Sequence, residues 1–321
     1  MRSKIISVLV LTVFFLSLPF ACGLFSSKEK QTEVFNRNDY TIKRDITVKI
    51  FDKKTDKTED ISLSECIYRQ IVADGADIFS DEAVKAVACA ICSDMLYDRT
   101  FSKKTHPDAF LCTGCSDCNN ISVPERTLSE NEKNRVISLV SEVIDTAVFY
   151  DGQAIIGART FCSSGKTENA EEIIGKNLHY LKSKDSFWDT TSPSFSSEVS
   201  LPLKTLYDKA VSAWGCDGKM SSENIEITEK TATGSVKEIT VFGKKVSGVD
   251  FCREFGIPSV NFTFEISDGT VVFSAKGKGL CLGLSEDGAN CLAKQGYTYA
   301  EILKYYYSQV EIKAVSDDDF Y

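Results

Sequence analysis

Apolar and polar residues alternate across Ile46, Val48 and Ile50, and a period of two predicts a strand buried on one face. The period then lengthens. Leu63, Ile67 and Ile71 keep helical spacing, and a stronger helix is predicted after Ser80, whose hydroxyl can cap it. Asp81 and Glu82 suit the positive end of that helix, and Val84, Val87, Ala88, Ile91 and Met95 draw one apolar stripe along it. Residues 99–128 have no period. Ser129 and Glu132 then make a capping box before Val136, Leu139, Val140, Val143, Ile144 and Ala147, which return to helical spacing. The Asp151-Gly152 pair between apolar runs predicts a tight hairpin. Strand-like runs follow at Val260 to Ile266 and Thr270 to Ser274, and Thr298 with Glu301 boxes a last helix carrying Ile302, Leu303 and Tyr306. The acidic tail, 314–321, is expected to fray.

Ahead of these elements, Arg2 and Lys4 precede an uncharged run from Ile5 to Ser27, long enough to span a bilayer. Residues 1–27 are read as a retained transmembrane anchor. Leu18, Pro19, Phe20, Ala21 and Cys22 make a poor cleavage site, although removal of the segment is the alternative. On either reading the body lies outside the cytoplasm, and the anchor makes the chain a single-pass membrane protein. Residues 28–45 read as a polar linker and 46–313 as the main domain.

With 321 residues, 43% of them hydrophobic, the chain can fill a real core. A net charge of -9 without a basic cluster excludes electrostatic binding to nucleic acid or to an anionic membrane surface. Sugar polymers, small molecules and proteins remain. The 12 cysteines do not read as a disulfide scaffold, because Cys66, Cys89, Cys92, Cys281 and Cys291 sit in apolar or helical surroundings, where cysteine acts as a small hydrophobe. Free thiols outside the cell fit an anaerobic host.

Several stretches carry a resemblance in chain order: Leu63 through Asp74 to Ala86; Ser163, Ser164, Gly165, Lys166, Thr167, Glu168, Asn169 and Ala170; Tyr180 to Pro193; Ser247, Gly248, Phe251 and Arg253; Gly277, Gly279, Gly283, Ser285, Gly288 and Ala289; and Gly296 to Tyr306. Together they resemble the stage II sporulation protein D family, in a divergent, clostridial-type form, from about Ile61 to Ile312. The resemblance implies an α+β body of two lobes around a groove. It also implies lytic transglycosylation of peptidoglycan glycan strands, in the engulfment step of sporulation. A relative of the same domain modifies a cell-wall amidase, so the alternatives are a weak or inactive glycan-binding scaffold and an amidase-enhancing protein.

In that reaction a single carboxyl serves first as acid and then as base. The family places a glutamate at the end of the first short helix, where this chain has Asp74, one methylene shorter. Ser163, Gly165, Thr167, Arg253, Ser285 and Glu286 are the implied substrate-binding residues. Where the family has a histidine between glycines this chain has Leu280, and Glu286 and Asp287 follow Ser285 in place of a Gln-Tyr pair. A second family histidine corresponds to Thr160, and an arginine of the alanine-rich helix to Cys92.

His106, Cys112, Cys115 and Cys118 group soft and borderline ligands that can close around zinc, and a disulfide or free thiols are the alternatives. His106, Cys112 and Cys118 also match the zinc set of clostridial members. Cys115 is additional. The implied zinc is structural, a staple for the long loop.

Overall fold

A computed structural model describes residues 45–101, 106, 108–109, 111–114 and 119–320. Strand β1 (Thr47–Asp52) buries Val48 and Ile50 and exposes the residues between them, as the period of two requires. It pairs antiparallel with β2 (Lys57–Ser62) and parallel with the short β3 (Leu111–Thr113), beside which lies β4 (Asn119–Asn120). Helix α1 (Leu63–Asp74) starts where the Ser62 side chain accepts the Glu65 N–H. It stops at Gly75, which takes the left-handed conformation (φ 86°) that a side chain would disfavour.

Helix α2 (Asp81–Phe101) runs through the middle of this half of the molecule. The sequence predicts one buried stripe, yet Ala83, Ala86, Cys89, Ala90, Cys92 and Ser93 are buried as well as Val84, Val87 and Ile91. The small side chains explain the difference, since they let neighbours approach from nearly every side. Helix α3 (Glu130–Val143) carries the expected capping box. Strands β5 (Thr146–Tyr150) and β6 (Gln153–Ala154) form the expected hairpin, with Asp151 at φ 49° and Gly152 at φ 77° in its turn. The chain then passes close to α2: a Cβ on Gly157 would lie 1.9 Å from the Ala90 carbonyl oxygen, so only glycine fits. Strand β7 (Arg159–Thr160) and the short helix α4 (Ala170–Ile174) follow.

A second core is then built from β8 (Ser196–Pro202), α5 (Leu203–Trp214), β9 (Ile225–Lys230), β10 (Val236–Val241), β11 (Lys244–Ser247), α6 (Gly248–Phe255), β12 (Phe262–Ser267) and β13 (Thr270–Lys276). Its strands form two antiparallel sheets, ordered β11-β10-β9 and β12-β13-β8. Phe251, Phe262 and Phe273 fill it with rings 5.7 to 5.9 Å apart. The chain returns to the first core through β14 (Leu284–Ser285), α7 (Glu286–Lys294), α8 (Tyr299–Tyr306) and β15 (Glu311–Ala314). β15 pairs antiparallel with β5, and the Thr298–Glu301 capping box opens α8 as expected. The tail does not fray: residues 317–320 form a short 3-10 turn, and Phe320 is buried in the first core.

The architecture is α+β, and the expected transmembrane helix and single-pass membrane localisation are corrected. Among the described residues no helix is long and apolar enough to cross a membrane. The longest, α2, has 21 residues but carries Asp81, Glu82, Lys85, Asp94, Asp98 and Arg99, and its apolar residues other than the terminal Phe101 are largely covered by protein. The Ile5–Ser27 run lies outside the described residues. Cys66, Cys92, Cys281 and Cys291 carry free thiols, and Cys89 is fully buried. Burial pushes the Cys66 and Cys92 thiols up to about 12, so they pack rather than react.

Candidate active site

Asp74 is the last residue of α1, at the negative end of that helix, where a carboxylate needs donors to offset the dipole. It has two. Gln70, one turn earlier, donates from Nε2 to Oδ1 at 2.9 Å, and Arg159 donates from Nη2 to Oδ2 at 2.9 Å. The Asp74 side chain keeps 26% of its surface exposed, so one side of it still faces solvent.

Arg159 reaches this point because β7 pairs parallel with β14, Leu284 beside Arg159 and Ser285 beside Thr160. That register puts the guanidinium next to the first residue of α7. Arg159 donates from Nε to Glu286 Oε1 at 3.1 Å, so one guanidinium joins two carboxylates contributed by helices at opposite ends of the chain. Its side chain is 13% exposed and that of Glu286 only 3%. The Arg159 charge is strengthened: burial opposes it, but Glu286, Asp74 and Asp94 outweigh that opposition. Burial raises Glu286 to about 7, against the pull of Arg159 and with a further push from the charge of Asp74. Its other oxygen, Oε2, is buried and has no partner. Asp94 on α2 accepts the Gly157 N–H at 3.1 Å and is raised to about 6, first by burial and then by Asp98. Sequence reasoning missed Arg159. The signal was a lone arginine at the end of the apolar run Ile155, Ile156, Gly157, Ala158, where a charge must find a buried partner.

The implied substrate-binding residues divide. Ser163, Thr167 and Ser285 are fully buried and give their side chains to the loops themselves. Ser285 donates to Asp189 Oδ2 at 2.7 Å and caps α7 by accepting the Gly288 N–H; the same Asp189 oxygen accepts the Ser163 N–H at 2.9 Å, and Thr167 accepts from the Lys184 N–H. Gly165 occupies a positive-φ turn beside Thr190. Gly288 is crowded by the Tyr306 hydroxyl, Ser186 Oγ and Trp188 Nε1, all within 2.6 Å of where a Cβ would stand. Arg253 lies on α6 of the second core, 74% exposed and paired with Asp250 at 2.9 Å. The structure therefore gathers Asp74 and Glu286 around Arg159, packs Ser163 and Ser285 around Asp189, and leaves Arg253 at the surface.

The family-histidine positions are packed. Thr160 donates to the Lys278 carbonyl at 2.8 Å and accepts the Cys281 N–H, while Leu280 packs against both cores. Phe161 stands beside Gly75, the residue after Asp74, its ring 3.7 Å from where a Cβ on Gly75 would be, with Lys278 Nζ 4.4 Å over the ring centroid.

In the cysteine loop, His106 stacks on Phe51 with ring centroids 3.9 Å apart. Cys112 is buried and disulfide-bonded. Cys115 and Cys118 lie outside the described residues. Among the described residues no three metal-ligating side chains gather. A cysteine in a disulfide offers no thiolate, so zinc would require that bond to be reduced.

Fold and site together define an α+β protein with two apolar cores, in the first of which a short parallel β bridge sets a partly exposed carboxylate and a buried one on a single arginine. No family model matches the chain. It is 25% identical over 276 residues to stage II sporulation protein D of Bacillus subtilis, spanning 83% of this chain and 79% of the relative. To stage II sporulation protein D of Bacillus amyloliquefaciens it is 26% identical over 275 residues, 83% and 78% of the two chains. An uncharacterized protein of Brachyspira hyodysenteriae is 23% identical over 197 residues, 57% of this chain and 50% of that one. Over most of its length the chain is thus similar to stage II sporulation protein D, as a divergent relative.

Proposed function

We propose that the protein acts on cell-wall peptidoglycan in sporulation, cleaving glycan strands by lytic transglycosylation with Asp74 as the working carboxyl. The relatives' names support the sporulation setting. The observation that carries the chemistry is Asp74 itself, fixed at a helix end by Gln70 and Arg159 yet 26% exposed. Asp74 gives its proton to the bridging oxygen as the C1–O bond breaks, and the leaving sugar departs as an alcohol. The C6 hydroxyl oxygen of the remaining sugar bonds to C1, and its proton returns to Asp74. Atoms and charge balance without water, and the product carries a 1,6-anhydro ring. Unlike a hydrolase, the site needs no second carboxylate to activate water.

The rival reading is a scaffold that binds glycan, or enhances an amidase, without cutting. What favours it is that Thr160 and Leu280 spend the histidine positions on packing. Incubating the full-length protein with peptide-free glycan strands separates the two: anhydro-ended fragments by mass spectrometry support transglycosylation, and binding without such fragments supports the scaffold.

His106, Cys112 and Cys118, together with Cys115, are proposed to hold one structural zinc in the reduced protein. Metal analysis after reduction should find about one zinc per chain, and Cys112→Ser with Cys118→Ser should remove it and lower the melting temperature. Unchanged zinc content in that double variant would reject the assignment.

A further inference from the structure

The arginine that grips Asp74 is gripped in turn from the inside. Arg159 presents Nη2 to Asp74 and Nε to Glu286, so the two carboxylates share one positive charge. With both ionised the trio carries a net negative charge in a largely enclosed site, and adding one proton makes it neutral, which burial favours. The proton goes to the carboxyl that water cannot reach. The Asp74 side chain is 26% exposed and that of Glu286 3%, and Glu286 Oε2 is buried without a partner, an oxygen left over to carry a hydrogen. The charged or titratable groups facing Glu286 are Arg159 from β7, Asp74 from α1, Tyr307 just beyond α8 and Asp287 on its own helix. Asp94 from α2 acts on Arg159.

We infer that Glu286 is a positioning residue of this site: holding Arg159 from the buried side, it sets how much of the guanidinium charge falls on Asp74 by taking up or releasing the one proton that the two carboxylates share. With the proton on Glu286, Arg159 is committed to an ionised Asp74, and with both carboxylates ionised its charge is divided. Passing the proton to Asp74 commits Arg159 to Glu286 and arms Asp74 as the acid. The role differs from direct contact with glycan, and it rests on reading Asp74 as the working carboxyl.

The test follows the carboxyl and needs no turnover, so the inference and the proposed reaction can fail separately. In full-length protein with isotopically labelled glutamate carboxyl carbons, one signal should titrate near 7, absent from Glu286→Gln. Asp74→Asn removes the negative neighbour and leaves Arg159 wholly to Glu286, so that midpoint should fall by about one pH unit, tenfold in proton affinity. Should Glu286→Gln not fold, the response to Asp74→Asn assigns the signal on its own. Asp94→Asn separates the titration near 6. Where strand cleavage is measured, its pH profile should change through the same range and lose that change in Glu286→Gln. No glutamate titrating above the ordinary carboxylate range, a midpoint unmoved by Asp74→Asn, or a pH profile unmoved by Glu286→Gln would each overturn the inference.

Discussion

In the second core most charge stays outside, with Arg253 on Asp250, Lys204 on Asp208 and Lys245 on Glu238 paired at the surface over an interior of Phe251, Phe262 and Phe273. The buried Glu168 that meets this core is held by the hydroxyls of Thr231 and Thr233 rather than by a cation. In the first core Glu286 and Asp189 are buried, and Arg159 is nearly so. Taking a charge out of water costs several kcal/mol unless it is paired. The first core bears that cost where β7 meets β14, beside the partly exposed Asp74. The contrast teaches where the fold holds two carboxylates on one largely buried cation, which is at Arg159 with Asp74 and Glu286.

The comparison breaks most readily at Arg159. Arg159→Met should leave Glu286 buried and uncompensated, and denaturant unfolding at pH 8 should show a loss of about 3–5 kcal/mol. The pH dependence has a definite sign. Because Glu286 is raised in the folded state from an ordinary 4.5 to about 7, its contribution to stability is fully present below 4.5 and is lost as pH rises through about 7. The Arg159→Met deficit should therefore shrink when unfolding is measured at pH 5. A deficit equal at both pH values would show that Arg159 works by packing alone.

At the other end of the scale, Arg253→Ala removes an exposed pair on the second core and should change stability by less than about 0.5 kcal/mol by the same measurement. It should also leave the Glu286 titration unmoved. A large effect of this variant on glycan binding with stability unchanged would extend the binding surface onto the second core and weaken the division drawn between the two.

Local structure was the part most legible in the sequence. The alternation at Val48 and Ile50, the capping boxes at Ser129 and Thr298 and the Asp151-Gly152 turn all depend on residues a few positions apart, and each formed where the pattern said. The surroundings of α2 were less legible, because alanine and cysteine do not mark a buried face as leucine does. Of the site, Asp74 and Glu286 were legible through the resemblance alone. Their meeting was not, because it depends on Arg159, 85 residues from one and 127 from the other in sequence. A two-residue parallel pairing makes that junction, and neither composition nor period records it.

The account stands on Asp74 being the carboxyl that cuts. Full-length wild type and Asp74→Asn should be incubated side by side with peptide-free glycan strands and their anhydro-ended products counted by mass spectrometry. Wild type should form them, and Asp74→Asn should lower their yield by at least about a hundredfold, since the amide can neither protonate the bridge nor take the ring-closing proton. Anhydro products undiminished in Asp74→Asn would contradict the account, and a wild type that binds strands but forms no such products would replace it with the scaffold.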